Sequence, residues 1–373
     1  MKKKIMLIVG TRPEAIKMAP VIDALCSQSD FFDVVTVLTA QHREMLDQVL
    51  EVFAITADHD LNIMKKGQSL MQVTQRALDG IDGLIKKERP DMLIAQGDTT
   101  TVFASALASF YERIPFAHLE AGLRTYDKYS PFPEEINRCM TSPLAELHFS
   151  PTEKSAQNLL KENIPADKIH VTGNTVIDAL FHILDKKNDD DLNFLESLGL
   201  EPKKFILVTA HRRESFGEPF EQICKGLKMV ADAYPDIKIV YPVHLNPNVR
   251  KPVDEILRMQ SNVVLIEPLD YFQFVHLMKH SYLILTDSGG IQEEAPSLGI
   301  PVLVLREITE RPEAVEAGTV KVIGTNAQDI FRETKQLIDH KDAYRSMARA
   351  INPYGDGKSS DRIVGILKDY FGM

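Results

Sequence analysis

Apolar positions along this chain follow two alternating rhythms. Short continuous runs such as Ile5-Met6-Leu7-Ile8-Val9, Met92-Leu93-Ile94-Ala95 and Tyr282-Leu283-Ile284-Leu285 read as strands. Longer segments with helical spacing lie between them. In the first half the pattern predicts strands near 4–9, 34–39, 92–96, 115–119 and 146–150, and helices near 13–27, 42–53, 69–88, 100–112 and 134–142. In the second half it predicts strands near 205–210, 237–241, 262–266, 282–286, 301–305 and 320–323, and helices near 218–234, 270–280 and 290–297. Such alternation implies an α/β fold of parallel sheets with right-handed crossovers, in which ligands bind beyond the carboxyl ends of the strands.

The chain has 373 residues, too many for one ordinary core, so two Rossmann-like doubly wound domains are expected. The boundary is placed between about 172 and 203, where Asp185-Lys186-Lys187-Asn188-Asp189-Asp190-Asp191 reads as solvated surface. The expected domains are 1–172 and 173–358. A last helix near 359–371 follows Asn352-Pro353-Tyr354-Gly355-Asp356-Gly357. It either returns to the first domain or finishes the second.

Composition removes several function classes. A formal net charge of −10 argues against a nucleic-acid partner. Three widely spaced cysteines, Cys26, Cys139 and Cys224, fit a reducing cytoplasm better than a disulfide framework. After Lys2-Lys3-Lys4 the apolar run stops at Gly10, too short for a signal peptide, and no membrane span is expected. The eleven histidines lack H-x-H or H-E-x-x-H spacing, and neither a metal nor another cofactor is expected.

Two strand–turn–helix devices, one per half, suggest anion binding. The first runs from Ile5–Val9 through Gly10-Thr11-Arg12-Pro13-Glu14. Thr11, Pro13 and Glu14 fit capping, but Arg12 puts a cation at the positive end of a helix, a mismatch that a bound anion repairs. Lys17 lies about one turn on. The second is Asp287-Ser288-Gly289-Gly290, where two glycines clear side chains from a backbone that a ligand approaches. Ser288 suits a phosphate oxygen and Glu294 ribose hydroxyls. Neither device carries G-x-G-x-x-G, so a dinucleotide cofactor is a poor alternative.

Acids supply the other half of the chemistry. Asp98 and Glu120 follow predicted strands, and Glu134 follows Pro131-Phe132-Pro133. Each alone has an ordinary reading as a cap or turn residue. Together, facing an anion site, they suit proton transfer, because carboxylates crowded together raise one another's pKa. His211 ends the first strand of the second half, and Arg212, Arg213 and Arg311 add positive charge. His244 also ends a strand.

These segments resemble a known family. G-T-R-P-E-A-I-K-M-A-P (10–20), Q-G-D-T-T-T (96–101), H-L-E-A-G-L-R-T (118–125), S-P-F-P-E-E-I-N-R (130–138), T-A-H-R-R-E-S (209–215), P-V-H-L-N-P (242–247) and T-D-S-G-G-I-Q-E-E-A-P-S-L-G (286–299) are similar to motifs of the bacterial non-hydrolysing UDP-N-acetylglucosamine 2-epimerases. The resemblance runs from near residue 5 to Gly357. It implies a glycosyltransferase-B fold, two Rossmann-like domains facing across a cleft, commonly as a homodimer. It also implies interconversion of UDP-GlcNAc and UDP-ManNAc for surface polysaccharide synthesis, through elimination of UDP to 2-acetamidoglucal and re-addition.

By motif, the resemblance implies catalytic roles for Asp98, Glu120, Glu134 and His211. UDP-binding roles fall on Arg12, Lys17, Phe274, Ser288, Gly289, Gly290, Glu294 and Arg311. An allosteric substrate site of some members would involve Gln41, His42 and Arg43, with Arg213 and His244 as contacts. Glu44 and Gly67 stand where strongly regulated members have Gln and Arg. The rival activities are a UDP-sugar glycosyltransferase, a hydrolysing epimerase that releases ManNAc and UDP, and a nucleotide-sugar sensor.

Overall fold

The computed structural model describes residues 2–39, 49–65, 67–185 and 190–373. Packing divides the chain into two units, Met1–His182 with Tyr354–Met373, and Ile183–Pro353. The dividing point lies near 182. The helix Thr175–Asp185 carries Ile177, Ala179 and Leu180 into a core, and its Asp178 accepts a hydrogen bond of 2.7 Å from the Ser360 amide. That helix ends at Asp185, where the charged run begins.

The first unit is built on seven parallel strands: β1 (Lys3–Val9), β2 (Phe32–Leu38), β3 (His59–Asp60), β4 (Met92–Gln96), β5 (Phe116–Leu119), β6 (Leu147–Ser150) and β7 (Ile169–Val171). Their order is β3-β2-β1-β4-β5-β6-β7. Ile5 through Val9 and Met92 through Ala95 are almost wholly buried, as strands covered on both faces must be. Each such side chain contributes about 1.5–3 kcal/mol through burial. The order reverses between β1 and β4, which pair with Ile8 opposite Ala95.

The second unit holds six parallel strands: β8 (Phe205–Thr209), β9 (Lys238–Pro242), β10 (Val263–Ile266), β11 (Leu283–Thr286), β12 (Val302–Val304) and β13 (Val320–Val322), in the order β10-β9-β8-β11-β12-β13. Here the reversal lies between β8 and β11, with Thr209 opposite Thr286. Both units are therefore α/β and doubly wound, and each has one topological switch point.

The last helix, Ser359–Tyr370, packs against the helix Arg12–Cys26 in the first unit. Arg362 reaches the Thr172 carbonyl at 3.1 Å, and the Asn174 amide donates to the Tyr354 carbonyl at 2.6 Å. Of the two readings of that helix, the return to the first unit is the one found. None of the described helices is long and apolar enough to cross a membrane.

Strands β3 and β7, two and three residues long, escape a pattern reading, as do several helices. The helix Pro247–Leu257 is hidden by Pro252, although Val249, Val253 and Leu257 form its buried face at i, i+4 and i+8. Of the helix expected near 42–53, residues 49–52 are helical and 42–48 lie outside the described residues.

Candidate active site

In doubly wound sheets the ligand crevice opens at the carboxyl ends of the strands beside the switch point. In the first unit those ends deliver Gly10-Thr11-Arg12 after β1 and Gly97-Asp98 after β4. In the second they deliver Ala210-His211 after β8 and Asp287-Ser288 after β11. Arg12, Asp98, His211 and Ser288 thus sit where topology alone would put a ligand.

The helix Arg12–Cys26 begins at Thr11, in extended conformation, with Pro13 in the first turn. The Glu14 carboxylate turns back and accepts the Gly10 and Thr11 amides at 2.7 and 2.9 Å. Glu14 is buried, and desolvation pushes its pKa up to about 7. Arg12, half-buried, forms no hydrogen bond or ion pair among the described residues. Lys17, assigned to UDP by sequence, reaches Glu120, with Nζ 2.5 Å from Oε1.

Glu120 follows β5 with φ of +62°, a left-handed backbone that costs a non-glycine residue about 1–2 kcal/mol. Three side chains hold it: Lys17 and Asn174 (3.1 Å) at Oε1, and Gln96 at Oε2. Two residues on, Gly122 has φ of +90°, and a Cβ there would lie 2.2 Å from the Ser155 carbonyl oxygen. The turn after β5 therefore needs glycine for both conformation and space.

Asp98 is gripped by Arg138, which donates from Nε at 2.9 Å and lies 2.7 Å away through Nη2. Asn137 donates to the Asp98 carbonyl at 2.9 Å. The same Arg138 pairs with buried Glu135 at 3.0 Å, whose carboxylate also accepts the Thr125 and Tyr126 amides. Glu134 starts the helix Glu134–Thr141 and forms no hydrogen bond or ion pair among the described residues. Behind Gly97, buried His118 donates from Nε2 to the Gly97 carbonyl at 2.7 Å, and burial lowers its pKa to about 4. It is a neutral imidazole that fixes the start of the Asp98 loop.

In the second unit, fully buried Asp287 accepts the His211 and Arg212 amides at 2.6 and 2.7 Å. His211 is exposed and stacks on His244, with ring centroids 5.3 Å apart and planes 13° apart. Partial desolvation lowers the His211 pKa, against the opposing pull of Asp287. Tyr241, a buried residue of β9, donates to the Ala210 carbonyl at 2.5 Å, and the Thr209 and Thr286 hydroxyls meet at 2.6 Å. The switch point is thereby pinned from both sides.

Ser288 caps a helix of only six residues, Gly289–Glu294, which passes into a 3-10 turn, Ala295–Leu298. The dipole of so short a helix adds little, so an anion there would depend on the Ser288 hydroxyl and open backbone amides. A Cβ at Gly290 would meet only Glu294 and Ser288 atoms at 3.7 and 4.0 Å, ordinary contact. The chain itself does not require glycine at that place; an approaching ligand would. Glu294 accepts from the Tyr271 hydroxyl, and Arg311 donates to buried Glu293. Phe274 lies half-buried in the helix Tyr271–His280.

Arg213 is exposed in the turn Arg213–Ser215. Gln41, His42 and Arg43 lie outside the described residues. Sequence reasoning gave no role to Gln96, Asn174, Arg138, Tyr271 or the Asp287 side chain. Asn174 had a readable signal: Thr172-Gly173-Asn174-Thr175 is another small-residue turn between a strand and a helix. Among the described residues no group of three or more His, Cys, Asp or Glu side chains could hold a metal.

The family model for UDP-N-acetylglucosamine 2-epimerase matches residues 24–368. A UDP-N-acetylglucosamine 2-epimerase from Salmonella typhimurium is 56% identical over 372 residues, covering 98% of this chain and 99% of the relative. That of Escherichia coli K12 is 55% identical over 371 residues, with 98% of each chain covered. The crystal structure of the UDP-GlcNAc 2-epimerase from Neisseria meningitidis bound to UDP-GlcNAc superposes with a TM-score of 0.90 at 52% identity, covering 98% of this chain and 100% of that one. The match spans both doubly wound units and the switch-point residues described above, and the chain belongs to the UDP-N-acetylglucosamine 2-epimerase family of isomerases.

Proposed function

We propose that the chain interconverts UDP-GlcNAc and UDP-ManNAc by eliminating UDP and adding it back. The C2 hydrogen of the sugar has no neighbouring carbonyl, so direct removal as a proton is prohibitive. Cleavage of the C1–O bond gives C1 oxocarbenium character and acidifies C2–H. A carboxylate takes the C2 proton, the C–H electrons form C1=C2, and the C1–O electrons leave with UDP. Return of a proton to the other face of C2, with attack of a UDP oxygen on C1, completes the epimerisation.

The observation that carries this reading is the set of acids and cations at the switch points. Asp98, Glu120 and Glu134 are the proton-transfer group, and a carboxylate of tuned pKa serves as base or acid. Lys17 beside Glu120 and Arg138 beside Asp98 hold those acids in place. UDP binding is assigned to Arg12, Lys17, Phe274, Ser288, Gly289, Gly290, Glu294 and Arg311. His211 serves the leaving diphosphate, whose developing charge needs fixed donors. The enzyme works in the cytoplasm as a homodimer and supplies a surface-polysaccharide precursor, a role that the family resemblance supports. Light scattering tests the dimer.

Incubation with UDP-GlcNAc alone in deuterated water tests the chemistry. UDP-ManNAc carrying deuterium at C2 is the expected product. Unlabelled nucleotide sugar at equilibrium overturns proton exchange at C2, and free ManNAc as the main product replaces re-addition with hydrolysis.

A further inference from the structure

Asp287 spends only half of its carboxylate on the fold. Oδ2 accepts the two amides of His211 and Arg212, whereas Oδ1 is buried with no hydrogen-bond partner among the described residues. An unsatisfied carboxylate oxygen in a fully buried side chain carries its whole desolvation penalty, so a use for it is expected. The nearest cationic partner is the His211 ring, with Nδ1 3.8 Å from Oδ1. That is ion-pair range but longer than a hydrogen bond, and the ring itself is exposed. Long contacts in apo sites commonly tighten when substrate binds.

We propose that Asp287 is the positioning residue of His211: its Oδ1 accepts Nδ1–H, holds the ring in one orientation and favours the imidazolium, leaving Nε2–H to donate to the departing diphosphate. The inference rests on the role given to His211 above. The groups facing the ring are few. Asp287 supports the cation, while Arg212 and the stacked His244 ring oppose it. His244 accepts the Asn246 amide at Nδ1 (3.1 Å), so this ring is tied to its own loop. Asp287 is the one carboxylate in that set. A purely structural role would need Oδ2 alone, and an asparagine would fill it.

Asp287→Asn keeps a carbonyl oxygen for the two amides and removes the charge. We expect kcat to fall at least tenfold with KM for UDP-GlcNAc changed less than threefold. The loss of activity at rising pH should move to lower pH by roughly one unit, because an opposite charge that raised the His211 pKa is gone. His211→Asn and the double variant complete the cycle. If Asp287 acts through the ring, the double variant is no slower than His211→Asn. Additive losses, or an unmoved pH limb, overturn the proposal while leaving His211 its role. An unchanged kcat in His211→Asn instead removes the role on which it rests. Should Asp287→Asn fail to fold, nitrogen-15 histidine spectra of the unaltered chain with UDP decide: Nδ1 of His211 must be protonated, and a bare Nδ1 overturns the pairing.

Discussion

The Lys17 ammonium lies 2.5 Å from Oε1 of Glu120, with both side chains mostly withdrawn from water. One residue comes from the helix after β1 and the other from the turn after β5, so the pair ties those two segments together. Removing one partner of a buried pair leaves the other charge uncompensated, which costs more than the pair contributes. Lys17→Met should therefore destabilise the chain by about 3 kcal/mol. Urea unfolding at pH 7 followed by circular dichroism measures this, and an unchanged midpoint would refute it.

Asp98 is held by Arg138 and Asn137 without help from a ligand. Asp98→Asn should lower kcat about 100-fold, the scale of general acid–base catalysis, while the Kd for UDP changes less than threefold. Equal losses in both would make Asp98 a residue that holds the ligand.

Glu14 predicts a pH-dependent stability. Its folded pKa, about 7, lies above the ordinary value of 4.5, because burial disfavours the charge. The folded state thus retains a proton that the unfolded state has lost between those values. The contribution is complete below about 4.5 and disappears as pH rises through 7, a change on the order of 3 kcal/mol. Glu14→Gln keeps an oxygen for the Gly10 and Thr11 amides. Its unfolding midpoint relative to the parent should rise from pH 5 to pH 8, and parallel curves would contradict the assignment.

Gly290→Ala separates a structural glycine from a ligand-clearing one. The added methyl finds only ordinary contacts, so the melting temperature should stay within about two degrees. UDP binding by calorimetry should weaken at least tenfold. Unaltered affinity would mean that the nucleotide keeps its distance from this backbone.

Much of the architecture was legible because parallel strands buried on both faces leave continuous apolar runs, as in Ile5–Val9 and Leu283–Thr286. What escaped depended on partners distant in sequence. No local pattern tells that Lys17 meets an acid 103 residues away, or that Arg138 reaches back 40 residues to Asp98. The uncharged side chains supporting Glu120 are Gln96, at the end of β4, and Asn174, in the turn before the helix Thr175–Asp185. Asp287 looked like part of a glycine turn because its amide partners come from the turn after β8, far earlier in the chain.

The return of Tyr354–Met373 to the first unit makes the second unit an insertion within the first. A ribosome therefore finishes Ile183–Pro353 before the first unit has received its closing helix. Until then the face of Arg12–Cys26 that Ser359–Tyr370 covers stays open, and Asp178 lacks the Ser360 amide. Synthesis order thus runs against assembly order: the half of the enzyme that is translated first is the half completed last.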